Sequence, residues 1–132
     1  SSPRGCRGRR GVMVLDASAL LAFLRAEPGA DDVEAALVGG ACCGAANWAE
    51  VAQKVLAAER DWSLVRALLH SYDLTVEAVT IDDEEWAARR WRVGEGLSLA
   101  DRLCLALAER LDRPVLTADA AWGAGGRIRQ LR

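Results

Sequence analysis

The apolar and polar positions of this chain predict short strands separated by longer amphipathic helices. The clearest helix is Leu97–Leu111, where leucines recur every fourth residue beside Ala and Cys, a spacing typical of a largely buried helix. Ser98 is a suitable N-cap, which puts Asp101 at the third helical position. An acid there either completes a capping box or is a metal or substrate ligand on a rigid base. The leucines expected to be buried are Leu99, Leu103, Leu107 and Leu111.

The remaining periodicity predicts strands that alternate with helices along the chain. Such alternation implies an α/β fold, in which helices cover both faces of a parallel sheet. Ser18 and Asn47 are the expected N-caps of two of the helices. The predicted strands are Val12–Leu15, Ala41–Ala46, Leu74–Ile81, Pro114–Thr117 and, at a sheet edge, Ile128–Leu131. The predicted helices are Ala19–Arg25, Asp31–Val38, Asn47–Glu59, Trp62–His70 and Asp82–Val93.

Composition narrows the class of protein. The chain has 132 residues and is 52% hydrophobic, which fits one packed domain. No apolar run approaches the roughly 18 residues of a membrane span, and no secretory signal is evident. The four cysteines form no C-x-x-C pair, so zinc ligation and a disulfide framework are both disfavoured. A reduced, cytoplasmic location is the expectation.

Charge is unevenly distributed along the chain. Residues 1–12 contain four arginines and no acid, and we expect them to form a flexible basic arm, native or not, ahead of a domain at residues 13–132. Met13 is the only methionine, so native initiation there is consistent with this division. The net charge of the whole chain is −2, and the domain itself is more acidic. Its global charge therefore argues against non-specific binding of nucleic acid, although not against a nuclease whose acids bind metal.

Three acids, Asp16, Glu50 and Asp119, follow predicted strands or begin the next helix. If the three strands are neighbours, these carboxylates converge with Asp101 at the carboxyl edge of the sheet, where α/β proteins form their sites. Four carboxylates in one pocket repel one another, and a divalent cation relieves that repulsion. Oxygen ligands favour Mg²⁺ or Mn²⁺. Capping explains Glu50 equally well if Asn47 begins its helix.

A carboxylate site of this kind suits metal-dependent phosphodiester hydrolysis. The sole histidine, His70, lies far along the chain from the acids, which disfavours a Ser-His-Asp or Cys-His enzyme. Neither a P-loop nor a G-x-G-x-x-G turn is present. A phosphotransfer module of the receiver type needs a lysine on a late strand, whereas the sole lysine, Lys54, falls within a predicted helix.

Four segments resemble, in order, the motifs of PIN-domain ribonucleases, especially the VapC toxins of bacterial toxin–antitoxin pairs. Each motif alone is weak, but four with family-like spacing are specific. The arm before Met13 lies outside the family pattern, and Arg102 stands where relatives commonly have a neutral residue. The segments are Val14–Ala22, Asn47–Val51, Leu97–Ala106 and Val115–Trp122.

The resemblance implies a three-layer fold with a five-stranded parallel sheet, cleavage of RNA with Mg²⁺ or Mn²⁺, and often dimerisation. It also implies a VapB-type antitoxin whose tail enters the active-site groove. Toxins of this kind can select loops of tRNA or rRNA through shape and a few bases. The implied acidic quartet is Asp16, Glu50, Asp101 and Asp119, with Asp16 and Asp101 the expected direct metal ligands. Residues that could orient this quartet or touch substrate are Ser18, Asn47, Thr117 and Arg102.

Each of these supporting residues has an alternative role. Ser18, Asn47 and Thr117 could simply cap helices or form turns, and Arg102 could pair with a carboxylate on the helix surface instead of contacting phosphate. Trp48 and Trp122 lie beside the expected site, but packing is the preferred interpretation. Residues 86–91 could belong to a dimer or antitoxin surface. The competing function is a PIN-like module that binds RNA or protein without cleaving it.

Overall fold

A computed structural model describes residues 12–131. The expectation of a flexible basic arm concerns residues that lie outside this described part, apart from Val12, which is buried. The elements follow the predicted order with shifted ends. The strands are β1 (Val14–Leu15), β2 (Cys42–Gly44), β3 (Thr75–Glu77), β4 (Val115–Thr117) and β5 (Ile128–Gln130). The helices are α1 (Ala17–Leu24), α2 (Ala30–Val38), α3 (Ala45–Ala57), α4 (Trp62–Ser71), α5 (Ile81–Arg89) and α6 (Leu99–Leu111), with a 3₁₀ turn at Ala120–Trp122.

The five strands form one parallel sheet in the order β3-β2-β1-β4-β5. The chain therefore builds outward from β1 on one side and then returns to build β4 and β5 on the other. The order reverses between β1 and β4, and this is the position at which open α/β sheets form their crevice. The expectation that the strands before Asp16, Glu50 and Asp119 are neighbours is confirmed, because β1 lies between β2 and β4.

Helices cover both faces of this sheet, which gives a three-layer α/β/α fold. Side chains alternate between the faces along each strand, so Leu15 joins the core beneath α1–α4 while Val14 joins the core beneath α6. Removing a leucine-sized side chain from water contributes roughly 2 kcal/mol, and α6 buries Leu107 and Leu111 in this way. Leu99, in contrast, is 56% exposed, so its predicted burial is wrong: it is the first residue of α6, beyond the cover of α5.

The structure also shows the state of three cysteines and whether any described helix could span a membrane. Cys43 and Cys104 are free and buried, whereas Cys42 is disulfide-bonded, contrary to the expectation of reduced cysteines. Among residues 12–131, no helix has both the length and the apolar character that a membrane span requires.

Candidate active site

Asp16 is the most completely enclosed acid of the site. It follows β1 and, in place of the expected Ser18, caps α1 by accepting the Ala19 N–H at 2.8 Å. The Ser18 hydroxyl lies 2.8 and 2.9 Å from the two carboxylate oxygens, and the Thr117 hydroxyl donates to Oδ2 at 2.6 Å. With only 2% of its surface exposed, the carboxylate is held in one orientation by three donors.

Burial has an electrostatic cost for Asp16. Its pKa is raised to about 6, chiefly by desolvation and to a smaller extent by the charge of Asp101, while the hydrogen bonds from Thr117, Ala19 and Ser18 oppose the rise. The fold therefore holds a carboxylate whose charged form is only partly compensated by its hydrogen bonds. A cation close to Asp16 would favour the charged form.

Thr117 joins the ends of β1 and β4. It is fully buried at the end of β4, and its Oγ1 accepts the Asp119 N–H at 3.0 Å while donating to Asp16. Ser18 completes the link, because its Oγ accepts the Ala118 N–H at 2.9 Å. Asp119 itself caps the 3₁₀ turn through a 2.9 Å bond from the Ala121 N–H. These hydroxyls couple the two strand ends that carry Asp16 and Asp119.

Glu50 lies one turn further into its helix than the sequence suggested. The helix α3 begins at Ala45 with Gly44 as N-cap, so Asn47 is inside its first turn and is not the cap that was predicted. Glu50 therefore cannot be explained as the acid of a capping box. Burial, and next the charge of Asp101, raise its pKa, while Lys54 and a side-chain hydrogen bond with Asn47 lower it. Its Oε1 is buried and has no hydrogen-bond partner within residues 12–131.

Asp101 does complete the predicted capping box of α6. Its N–H donates to Ser98 Oγ at 3.0 Å, and its Oδ2 accepts the Ser98 N–H at 2.9 Å. The same carboxylate also raises the pKa values of Asp16 and Glu50. The two explanations offered for this acid are thus compatible, because it caps the helix and is close enough to two further acids to repel them.

A cavity of about 390 Å³ opens beside this group, and Glu50 and Asp119 both line it. Ser18 is also on its wall, together with two cations, Arg25 of α1 and Lys54 of α3. These two cations were not among the site residues predicted from the sequence. A signal was available, since Lys54 stands four residues after Glu50 and therefore on the same side of its helix.

The oxygen donors around this cavity match those preferred by Mg²⁺ and Mn²⁺. The buried, unpaired Oε1 of Glu50 is the observation that most directly calls for a ligand, because such an atom is costly to leave without a partner. In the part of the chain that the structure describes, however, no three His, Cys, Asp or Glu side chains lie close enough to hold one ion together. The donor chemistry fits a divalent ion, and the quartet remains a prediction.

The other residues considered from the sequence make different kinds of contact. Asn47 is buried, and its side chain lies close enough to Glu50 to lower the pKa of that acid, although the contact falls short of a well-aligned hydrogen bond. Arg102 extends toward α5, where its Nη1 donates to the Ala87 carbonyl at 2.7 Å. Trp122 packs in the core beneath α6, and Trp48 packs edge-on against Trp62 with ring centroids 5.1 Å apart. The preference for packing is borne out by these contacts.

Comparisons with known proteins agree with this architecture. The family model described as "PIN domain" matches residues 13–124. Among solved structures, a chain from a "Toxin-antitoxin complex from Klebsiella pneumoniae" has a similar fold, with a TM-score of 0.71 at 16% identity. That match covers 89% of this chain and 95% of the other, and at such low identity the likeness shows the fold alone. A search of curated protein sequences found no match.

Proposed function

Because the chain belongs to the PIN-domain family, whose members are generally nucleases that use divalent metal ions, we propose that it is a metal-dependent endoribonuclease and the toxin of a VapBC-type toxin–antitoxin pair. The observation that carries this proposal is electrostatic. Asp101 raises the pKa values of both Asp16 and Glu50, so this acid of α6 lies close to the acid that follows β1 and to the acid of α3. Homodimerisation and a cytoplasmic location are parts of the same proposal.

In this proposal the acidic quartet holds Mg²⁺ or Mn²⁺. Asp16 and Asp101 are direct ligands, while Glu50 and Asp119 bind directly, through water, or at a second ion. When bound, such an ion would supply activation of the attacking water and stabilisation of the leaving oxygen of a phosphodiester. Ser18 and Thr117 keep the Asp16 carboxylate in one orientation by donating hydrogen bonds to it.

Binding of an RNA substrate requires positively charged side chains near the site, because the carboxylates of the cavity repel the RNA phosphates. Arg25 and Lys54 line the cavity, and neither forms an ion pair within residues 12–131. We assign them to the phosphates on either side of the scissile bond, where such contacts position RNA without reading its sequence. Arg102, whose guanidinium donates to the Ala87 carbonyl, is placed to fix α6 against α5. Loops of tRNA or rRNA are the proposed substrates.

An antitoxin partner is supported by a second cavity, of about 370 Å³, that shares Leu21, Arg25 and Lys54 with the first. Its other lining residues from α1, α3 and α4 are mainly aliphatic, with Arg60 adding a third cation. A VapB-type tail with apolar and acidic side chains matches this lining, and it would reach the carboxylates from there. The similar chain from Klebsiella pneumoniae belongs to a toxin–antitoxin complex, which supports a partner of this kind.

The second candidate function is a PIN-like module that binds RNA or protein without cleaving it. It predicts binding that is insensitive to EDTA and to loss of the Asp16 carboxylate.

The deciding experiment compares RNA cleavage by the wild-type chain and by Asp16→Asn, each with Mg²⁺, Mn²⁺ or EDTA. We expect discrete fragments that require metal and disappear in the variant. Asp31→Asn, which neutralises an exposed acid of α2, is the matched control and should cleave like wild type. Equal fragmentation by wild type and Asp16→Asn would refute the acidic mechanism. RNA binding without cleavage, in protein shown to be free of antitoxin, would establish the alternative.

A further inference from the structure

Asp119 is the acid of the site that rests on the shortest element. It precedes a 3₁₀ turn of only three residues, and its Oδ1 accepts the Ala121 N–H at 2.9 Å. Within the turn, the Trp122 N–H donates to the Asp119 carbonyl at 3.1 Å. Hydrogen bonds in 3₁₀ turns have poorer geometry than those in α-helices, so a single turn has little rigidity of its own. The orientation of the Asp119 carboxylate therefore depends on what holds this turn from outside.

Gln130, the last residue of β5, holds the turn in this way. Its Nε2 donates to the Asp119 carbonyl at 3.0 Å and to the Gly123 carbonyl at 2.7 Å. A primary amide has two N–H donors on one nitrogen, so a single glutamine can serve both acceptors. The two carbonyls belong to the residues on either side of the 3₁₀ turn. Gln130 therefore fixes both ends of the turn to the sheet.

The same amide completes a series of hydrogen bonds across the ends of three strands. Gln130 lies beside Thr117 in the parallel register of β4 and β5. The Thr117 hydroxyl accepts the Asp119 N–H at 3.0 Å and donates to Asp16 Oδ2 at 2.6 Å. The backbone of Asp119 is thus held at its N–H by Thr117 and at its carbonyl by Gln130. The bonds run without interruption from β5 to the enclosed carboxylate after β1.

Two further observations bear on this amide. Gly123 ends the 3₁₀ turn with φ 70° and ψ −162°, a combination that other residues rarely adopt, and its carbonyl accepts the shorter of the two bonds from Gln130. The family match ends at residue 124, so Gln130 lies outside the segment that the family model describes. No motif in the sequence therefore predicts a role for it.

We propose that Gln130 is a positioning residue of the candidate active site. By holding the backbone on both sides of the 3₁₀ turn, it fixes the Asp119 carboxylate beside the cavity that Glu50 and Ser18 also line. Gln130 is not among the residues lining this cavity, so it acts through Asp119. The proposal rests on the proposed function, because it treats Asp119 as an acid of the nuclease site.

Two substitutions test whether the donors of this side chain matter. Gln130→Met keeps a similar length and removes both donors, and Gln130→Glu keeps the shape but places oxygens opposite the two carbonyls. In both variants we expect the Ala121 and Trp122 amides to exchange hydrogen at least about fivefold faster, as measured by NMR. The Mg²⁺ concentration that gives half-maximal RNA cleavage should rise about tenfold, because the support of a metal-binding carboxylate is lost.

Arg127→Gln is the matched control. It removes contacts with Glu109 at 3.2 Å and Asp112 at 2.7 Å, just before β5 begins and therefore at the opposite end of the strand. This variant should keep the exchange rates of the turn and the Mg²⁺ dependence of wild type. Circular dichroism and thermal melting verify that all three variants are folded.

Unchanged exchange of the turn in Gln130→Met would overturn the proposal, and so would an equal change in Arg127→Gln. Faster exchange with an unaltered Mg²⁺ dependence would also overturn it, because Gln130 would then support the turn without affecting the site. A wild-type chain that does not cleave RNA would refute the nuclease function instead. The exchange rates would in that case still decide whether Gln130 fixes Asp119, so the two failures are distinguishable.

Discussion

Two helices of this protein begin with the same local structure, and the tertiary fold gives the two carboxylates opposite surroundings. Thr80 and Asp83 form a capping box at the start of α5, and Ser98 and Asp101 form another at the start of α6. In each box the hydroxyl accepts the third residue's N–H and the carboxylate accepts the cap's N–H. The local sequence pattern therefore predicts the same role for both acids.

Their neighbours differ. Asp83 is buried and receives two hydrogen bonds from Arg110, at 3.0 and 3.1 Å. Burial raises its pKa, but the bonds from Arg110 and Thr80 outweigh burial and leave the pKa below its usual value. Asp101 is half-buried, forms no ion pair among residues 12–131, and raises the pKa values of Asp16 and Glu50. An acid with its own counter-ion is structural, whereas an acid surrounded by other acids is available to bind a cation.

The largest expected effect is on catalysis by Asp101→Asn. The proposed function requires this carboxylate, so RNA cleavage should fall by at least about 10³-fold. Stability should change little, because asparagine retains an oxygen that accepts the Ser98 N–H and removes repulsion from Asp16 and Glu50. Initial cleavage rates and urea unfolding measure the two effects. An active Asp101→Asn enzyme would show that this acid only caps its helix.

Asp83→Asn should have the opposite profile. It leaves the Arg110 guanidinium without its carboxylate, and breaking such a pair costs roughly 3 kcal/mol, at the low end for buried pairs because the Arg110 side chain is 31% exposed. Cleavage measured where the variant is still folded should equal that of wild type. Loss of cleavage in fully folded Asp83→Asn would remove the distinction between the two capping boxes.

The pH dependence of stability should report the burial of Asp16. Folding raises its pKa from 3.8 to about 6, so between these values the native chain binds the proton more tightly than the unfolded chain. The free energy of unfolding should therefore fall as the pH rises from about 4 to 6, by about 3 kcal/mol in total, and remain lower above pH 6. The measurement is urea unfolding in EDTA across this range.

Asp16→Asn is the control for that measurement, because it cannot ionise at this position. Its stability should lack this fall between pH 4 and 6, and the variant should be inactive in cleavage. A parallel decline in both proteins between pH 4 and 6 would assign the pH dependence to other groups.

The smallest effect compares the caps themselves. Ser98→Ala and Thr80→Ala should each lower the free energy of unfolding by about 1 kcal/mol, since each removes one hydroxyl acceptor at a helix start. Only Ser98→Ala should also alter cleavage. It removes the hydroxyl that accepts the Asp101 N–H, so the Asp101 carboxylate is held less firmly in place. Thermal melting and cleavage rates measured on both variants test this, and an equal effect on cleavage would contradict it.

Much of the candidate site could be anticipated from local features. Short apolar runs ending in Asp16 and Asp119 predicted acids at strand ends, and the strand order confirmed that β1 lies between β2 and β4. The start of α3 could not be predicted in the same way. Asparagine is a good N-cap by propensity, but Asn47 is buried in the first turn and Gly44 takes the cap position. Arg25 and Lys54 were also missed, because their place on the cavity wall depends on how α1 and α3 pack.

The sequence by itself determined the features that rest on short-range physics. Periodicity set the alternation of strands and helices, and bonds spanning three residues set the capping boxes of α5 and α6. The tertiary structure decided which groups surround each acid. Arg110 neutralises Asp83 from 27 positions away, and the Thr117 hydroxyl holds Asp16 from 101 positions away. Such pairings depend on the order of the strands and the packing of whole helices, because burial and charge act through space and not along the chain.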